Sequence, residues 1–297
     1  MFSVIIPLYN KEKYIAETLQ AVLSQTFIDF EVIVVDDSST DGSLQIVRQF
    51  SDARLRIFTK PNGGVSAARN YGIKQATHEI IAFLDADDVW ADTYLEHMAE
   101  LIRRFPSVGL FASSYSFMHN GIICNKNLSG RPLFSELEDY FEMSFKCGFS
   151  LNITSATCLR RELALQMPMF REGIQRGEDI DVWLRICLTH HMAYYNEPLM
   201  FYRSNTSNSL SANYTDSKED FPYLEWLDHK CASRFYRKYV VVAVYLFAKS
   251  AYYAHDYQAC LYILSRIWHV EPKVKGLKRI YLMVNSWFHM FNEKTRK

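Results

Sequence analysis

The sequence predicts an α/β protein, a mostly parallel sheet flanked by helices on both faces and continued by a helical C-terminal extension. Three observations lead there. Over the first 113 residues, short runs of β-branched and apolar residues alternate with segments of helical periodicity. The connections are short, which joins successive strands by crossover units and favours parallel pairing. From Arg234 onward the composition turns basic and aromatic.

Residues 3–8 form an apolar run closed by Pro7 and Asn10, which reads as a strand and then a turn. Residues 11–26 carry Ile15, Leu19, Val22 and Leu23 at the spacing of an amphipathic helix. Residues 31–35 are a second strand, stopped by Asp36-Asp37-Ser38-Ser39. Helix is expected over 41–50, with Leu44 and Val47 inward, and a third strand over 54–58. After Asn62-Gly63-Gly64, residues 66–76 read as helix, 79–84 as a fourth strand, 92–105 as helix and 108–113 as a fifth strand. Ligands of such sheets bind beyond the carboxyl ends of the strands. Three polar clusters sit there: Tyr9-Asn10, Asp36-Asp37 and Asp85-Ala86-Asp87-Asp88.

The chain has 297 residues, 49% hydrophobic and 22% charged, enough for a substantial core. Its 11 Gly and 8 Pro exclude collagen-like and low-complexity descriptions. No apolar run approaches the ~18–20 residues that cross a bilayer. Residues 2–6 lack a preceding basic segment and a cleavage site, so a strand explains them better than a secretion signal, and the expected location is cytoplasmic. The six cysteines, at 124, 147, 158, 187, 231 and 260, include no Cys-x-x-Cys pair, which points to reduced thiols rather than a metal or disulfide framework.

The 33 basic and 33 acidic residues are unevenly placed. From Arg234 on, twelve Lys and Arg stand against three Asp and Glu, a net of +9, leaving −9 on residues 1–233. The same tail holds fourteen aromatics in 64 residues. A boundary is expected between 210 and 233, near the Ser, Asn, Thr and Asp cluster of 204–218. Helices are expected over 239–254, 258–270 and 277–291, the last with Leu277, Ile280, Tyr281, Val284, Phe288 and Phe291 on one face. Two readings stand for that region: the core of a helical subdomain, or docking on an anionic membrane surface. Nucleic acid fits poorly, because the rest of the chain is acidic.

Asp85 and Asp87 place two carboxylates two residues apart at a strand end, where both can turn toward one divalent cation; hard oxygen ligands suit Mg²⁺ or Mn²⁺. The alternative is a turn in which Asp88 or Asp92 caps the next helix. Asp36 and Asp37 can accept hydrogen bonds from a nucleotide, or can simply shape a turn. Asn62-Gly63-Gly64 permits close backbone approach to a ligand, and Arg69 follows on the next helix. Glu178 and Asp179 fall in the first turn of a helix marked by Ile180, Trp183, Leu184 and Cys187. They complement the helix dipole or serve as a general base, with one of the pair tied up by Arg185 or backbone.

SVIIPLYN (3–10), VIVVDDSSTDGS (32–43), NGGVSAARNYGI (62–73) and IIAFLDADD (80–88), followed by GEDIDVWLRI (177–186) and FYRSNTSNS (201–209), together resemble the family 2 glycosyltransferases of GT-A fold. The resemblance implies a GT-A domain over 1–215, with a nucleotide-binding half at 1–113 and an acceptor-binding half at 114–215, followed by a helical region over 216–297. It implies metal-dependent, inverting transfer from a nucleotide-sugar donor, with UDP as the expected nucleotide, to a glycan or lipid-linked saccharide of bacterial surface-polysaccharide pathways. Carried over by position, Pro7, Tyr9 and Asp37 frame the base, with Tyr9 stacking and Asp37 accepting a base N–H, while Asp36 supports their loop. Arg69 is expected near the nucleotide. Asp85 sits by the ribose or reaches the metal through water, Asp87 binds the Mn²⁺ or Mg²⁺, and Asp179, ahead of Glu178, is the base. Arg203 is placed near the diphosphate, although Asn205 stands where relatives carry a histidine. The Gln-x-x-Arg-Trp motif of processive relatives is missing, so one sugar per encounter is expected. The rivals are a sugar-nucleotide nucleotidylyltransferase, which needs a Gly-rich phosphate loop that SVIIPLYNK lacks, and a non-catalytic nucleotide- or glycan-binding relative.

Overall fold

The computed structural model describes residues 1–119, 122–126, 128–148, 150–166, 169–174, 176–203 and 223–295. By its internal contacts the chain divides into two compact units, Met1–Tyr140 with Ser150–Ser209, and Phe141–Phe149 with Leu210–Lys297. The polar cluster expected to mark a boundary at 204–218 lies outside the described residues.

The first unit opens with the alternation expected: β1 (Phe2–Leu8), α1 (Ile15–Leu23), β2 (Phe30–Asp36), α2 (Ser43–Val47), β3 (Leu55–Thr59), α3 (Gly64–Gln75) and β4 (Ile80–Phe83). Every residue of β1 and β2 is buried, as befits strands covered on both faces. Then come β5 (Val89–Trp90), α4 (Tyr94–Arg104), β6 (Leu110–His119), β7 (Ile122–Lys126), β8 (Phe134–Leu137) and, after α5 (Tyr140–Cys147), which groups with the second unit, β9 (Thr157–Arg160), α6 (Arg161–Gln166), α7 (Glu178–Cys187) and β10 (Met192–Arg203).

The sheet runs β3-β2-β1-β4-β9-β6-β10-β5, with β7 on β6 and β8 on β10. The pairs β1–β2, β1–β4, β2–β3 and β6–β10 are parallel. The sequence reading did not contain β9, which lies antiparallel between β4 and β6 and joins the two parallel blocks. Helix α1 begins at Ile15 rather than at residue 11, because residues 11–14 form a turn anchored on the Lys11 carbonyl.

Helix α3 lies close on β1 because Gly72 faces it. A Cβ at Gly72 would stand 2.5 Å from Cγ2 of Ile5, a buried β-branched side chain with no room to turn. Glycine inside a helix is unfavourable by about 1 kcal/mol relative to alanine, so close packing is what holds it there.

The second unit contains α8 (Tyr223–Asp228), α9 (Tyr236–Tyr253), α10 (Tyr257–Ile267) and α11 (Gly276–Thr295). Residues 141–149, kept with the first unit by the sequence reading, group here; Phe141 stands edge-on to Tyr236 and Tyr239, with centroids 4.9 and 5.5 Å away. Asp256 caps α10 by accepting from the Ala259 N–H. Its far end is closed by Arg279 of α11, whose buried guanidinium donates to the carbonyls of Ile267, Val270 and Glu271 at 2.7–3.0 Å.

That cap decides which face of α11 turns inward. Arg279, Leu282 and Ser286 point inward, while Ile280, Tyr281, Val284 and Trp287 are about half exposed. The side chains at 277, 288 and 291, also placed on that face by sequence, lie outside the described residues. Among the described residues no helix is long and apolar enough to cross a membrane. The cysteines at 147, 158, 187, 231 and 260 are free thiols; the side chain of Cys124 lies outside the described residues.

Gly72→Ala is expected to lower stability by about 1–3 kcal/mol, the usual scale of overpacking, despite the gain in helix propensity. Thermal or urea denaturation measures it, and an unchanged or raised midpoint would refute the close-approach account.

Candidate active site

Polar groups from four loops converge at the carboxyl ends of the parallel strands. Pro7 lies within β1, buried opposite Val35 of β2, where it shapes the strand end. Tyr9, just past the strand, is 46% exposed and can present its ring to a ligand. Asn10 turns the chain with φ +52°, and its side-chain oxygen accepts from the Thr40 N–H at 2.8 Å, tying the first loop to the second.

The second loop carries Asp36 and Asp37, both buried. Asp36 accepts from the Ser39 N–H in a local turn. Asp37 accepts from Lys60 Nζ at 2.6 Å and from the backbone N–H groups of Gly63 and Gly64 at 3.0 and 2.7 Å. Three donors fill most of the four lone-pair directions of a carboxylate. Asp37 therefore fixes the 60–64 segment, where Gly64 has φ +84°. The sequence reading gave it a base contact and missed this anchoring role.

Asp85, Asp87 and Asp88 follow β4 on a tight turn closed by the Asp88 N–H to the Asp85 carbonyl. Ser155 pins the turn from below. Its hydroxyl accepts from the Asp85 N–H at 3.0 Å and donates to Asp88 at 2.6 Å, while its carbonyl accepts from the Trp90 indole. Asp85 and Asp87 remain partly exposed, at 31% and 16% of their side chains. Asp88 is buried, and its other oxygen accepts from the Arg203 N–H. Burial above all, then the charges of Asp87 and Asp85, pushes the Asp88 carboxyl well above the usual range.

Across from this turn, α7 starts after Gly177 in the left-handed region at φ +77°. Glu178 is buried and Asp179 partly exposed. Between turn and helix stands Arg69 of α3, 3% exposed, donating to Asp85 at 2.7 Å and to Glu178 at 2.8 Å, with its guanidinium over the Phe170 ring. Burial works against the Arg69 charge, but Asp85 and Glu178 more than compensate and keep it ionised. Glu178 is thus held by Arg69. Arg185, which sequence offered beside backbone as a partner for one of the pair, binds Asp181 at 2.9 Å. Asp179 accepts from its neighbour Ile180 N–H at 2.8 Å and, at a long 3.3 Å, from Thr154. Burial raises both acids: Glu178, also facing the Asp179 charge, is pushed up to about 7, and Asp179 rises above its ordinary value against the pull of Arg69.

Both arginines expected at the site are engaged with carboxylates. Arg69 is committed to carboxylates rather than left free for a phosphate. Arg203, at the end of β10, pairs with Glu17 at 2.8 Å and lies over the Tyr14 ring. Asn205 lies outside the described residues. Lys11, which sequence reasoning passed over, donates to Asp87 at 2.6 Å.

The acids Asp85, Asp87, Asp88, Glu178 and Asp179 are linked by mutual charge interactions, and Arg69 and Lys11 stand against them. Among the described residues no group of three or more His, Cys, Asp or Glu side chains is gathered to hold a metal by itself. Two partly exposed carboxylates on one turn, in acidic surroundings, fit a hard dication that completes its shell with ligand oxygens and water. Asp87 and Asp85 are the residues that would hold it.

A family model described as Glycosyl transferase family 2 matches residues 3–161. WfgD of Escherichia coli, named a UDP-Glc:alpha-D-GlcNAc-diphosphoundecaprenol beta-1,3-glucosyltransferase, is 28% identical over 251 residues, covering 82% of this chain and 94% of WfgD. TuaG of Bacillus subtilis, a glycosyltransferase named for teichuronic acid biosynthesis, is 32% identical over 221 residues, covering 72% of this chain and 82% of TuaG. Among solved structures, S. aureus TarS 1–349 in complex with UDP-GlcNAc superposes with a TM-score of 0.65 at 23% identity, over 96% of this chain and 79% of that one. The mannosyltransferase PcManGT of Pyrobaculum calidifontis, in complex with GDP-Man and Mn²⁺, gives 0.62 at 17% identity, over 98% and 87%. At these identities the two structures speak for the fold.

The raised Glu178 generates a pH dependence with a definite sign. Its carboxyl moves from an ordinary 4.5 to about 7, so between those values the folded state binds more protons than the unfolded one. Stability therefore falls as pH rises through that window. Glu178→Gln is expected to flatten the fall in metal-free buffer, measured as denaturation midpoint against pH. An unaltered slope would remove Glu178 as its source.

Proposed function

The chain belongs to glycosyl transferase family 2 and is a glycosyltransferase, and from that premise we propose a specific reaction. One sugar moves, with inversion, from a nucleotide-diphosphate donor to a hydroxyl of a glycan or lipid-linked saccharide in bacterial surface-polysaccharide assembly. UDP is the nucleotide favoured, by analogy with WfgD, named for UDP-Glc, and with TarS, solved in complex with UDP-GlcNAc. The observation that carries the reading is the bridge Asp85–Arg69–Glu178, which sets the acidic turn after β4 beside the first turn of α7.

Each residue then has a task its surroundings suit. Tyr9 offers an exposed ring for the base, and Asp37 holds the 60–64 loop that borders it. Mn²⁺ or Mg²⁺ bound by Asp87 and Asp85 would supply charge stabilisation for the departing diphosphate. Asp179 takes the proton of the acceptor hydroxyl, because it is the more exposed of the two acids and one oxygen receives only the long bond from Thr154. Its raised carboxyl makes it a better proton acceptor than an ordinary aspartate. Glu178, occupied by Arg69, orients rather than accepts. A single displacement needs one base and no covalent nucleophile.

The acceptor class also gives the outward face of α11 a use. Ile280, Tyr281, Val284 and Trp287 line the side opposite the packed one, and Lys273, Lys275 and Lys278 are exposed at that helix's start. Aromatic and aliphatic side chains beside basic ones match the interface of an anionic bilayer, where a lipid-linked acceptor resides, and we assign the face to that surface.

Asp179→Asn and Asp87→Ala are each expected to cut transfer about 10²-fold or more, with nucleotide-sugar binding kept in the first. Transfer assays with a panel of nucleotide sugars and Mn²⁺, paired with calorimetric donor binding, measure both. Normal turnover by Asp179→Asn would remove it as the base. Co-sedimentation should show salt-sensitive binding to vesicles containing phosphatidylglycerol and little to phosphatidylcholine alone, reduced in Tyr281→Ser/Trp287→Ser. No binding, or dimerisation lost in the same variant, would overturn the bilayer assignment.

A further inference from the structure

Lys11 occupies an unusual position for a surface-loop lysine. Its backbone is fixed on both sides: the N–H donates to Ser43 Oγ at 2.7 Å, and the carbonyl accepts from the Tyr14 and Ile15 N–H groups at 2.9 and 3.0 Å. Its ammonium reaches Asp87 Oδ2 at 2.6 Å, with only 13% of the lysine and 16% of the aspartate side chain exposed. Asp87 belongs to the acidic cluster described above, so an ammonium at its oxygen relieves part of the repulsion among the carboxylates.

We propose that Lys11 is a positioning residue that stands in for the metal at Asp87 and yields to it when donor arrives. A monovalent ammonium and a divalent cation compete for the same carboxylate oxygen, so metal alone meets a site already neutralised in part. A nucleoside diphosphate changes the balance twice. Its phosphate oxygens strengthen the metal's coordination, and they give the displaced ammonium a new anion to pair with. Lys11 is suited to the exchange because its backbone is anchored while its four-carbon stem carries a compact charge on rotatable bonds. Metal and donor would therefore bind as a set, each improving the affinity for the other. This rests on Asp87 being the metal ligand.

The test is Mn²⁺ binding, followed by the electron paramagnetic resonance signal of the free ion, with and without uridine diphosphate. The proteins are the full chain, Lys11→Met, Lys11→Arg and Asp87→Asn. Lys11→Met is expected to bind Mn²⁺ alone about tenfold more tightly than the unmodified chain, the scale of one charge-assisted hydrogen bond removed. It should also lose most of the cooperativity between Mn²⁺ and uridine diphosphate. Lys11→Arg, which keeps the charge, should stay within about twofold of the unmodified chain, so a general loss of fold cannot imitate the result. Equal or weaker Mn²⁺ binding by Lys11→Met, with Asp87→Asn weakened, overturns the role of Lys11 and leaves the metal site standing. Unchanged binding in Asp87→Asn overturns the metal assignment itself, and this proposal with it.

Discussion

A buried guanidinium is unfavourable unless carboxylates surround it, and the first unit is organised around satisfying one. Arg69 is 3% exposed and meets Asp85 on one side and Glu178 on the other. The two acids come from segments far apart in the chain, one ending β4 and the other starting α7. Removing either would leave a charge in a desolvated place, which typically costs several kcal/mol. The pairing therefore fixes where α7 begins relative to the sheet, and with it the position of Asp179. Phe170 closes the same guanidinium from its face.

A second support works beneath it. Ser155 joins the Asp85 N–H, the Asp88 carboxyl and the Trp90 indole, so the turn that carries Asp85 and Asp87 is held by its backbone and by its buried third acid. Asp88 in turn receives the N–H of Arg203, which ties the end of β10 to the same turn. A scaffold of hydrogen bonds thus holds this region while leaving Asp85, Asp87 and Asp179, the residues proposed to carry the chemistry, partly exposed. Geometry of this kind limits rotamer freedom where small displacements matter most.

Much of this was legible beforehand, for identifiable reasons. Strands β1, β2 and β4 are fully buried runs rich in β-branched residues, and such runs announce themselves; β3, only partly buried, is marked by the turn formers around it. Asp85, Asp87 and Asp179 stand out because acidic residues after a strand or in a first helical turn are local patterns. Lys11, Ser155 and the anchoring task of Asp37 were not legible, since their partners are distant in sequence. Strand β9 was missed because four residues, Thr157–Arg160, gain strand character only from β4 and β6 on either side. Helix α11 was legible as amphipathic, but its periodicity left open whether the apolar face packs as core or meets a surface. The end of α10 decides it, because its carbonyls call for a donor. Arg279 answers that demand and takes Leu282 and Ser286 inward with it.

The excess of acid in the site has a consequence for stability as well as for chemistry. Glu178, Asp179 and Asp88 all carry carboxyls raised by burial, so holding them close in the folded chain is unfavourable near neutral pH. Their hydrogen bonds, Glu178 with Arg69 and Asp88 with Ser155 and the Arg203 N–H, offset only part of that penalty. A fold that retains such a cluster is under-neutralised by its own cations, and it gains most from a partner that brings positive charge to the turn after β4. The same imbalance that weakens the isolated protein would strengthen its grip on the cation proposed for that turn, and binding and stability would then be coupled through one set of carboxylates.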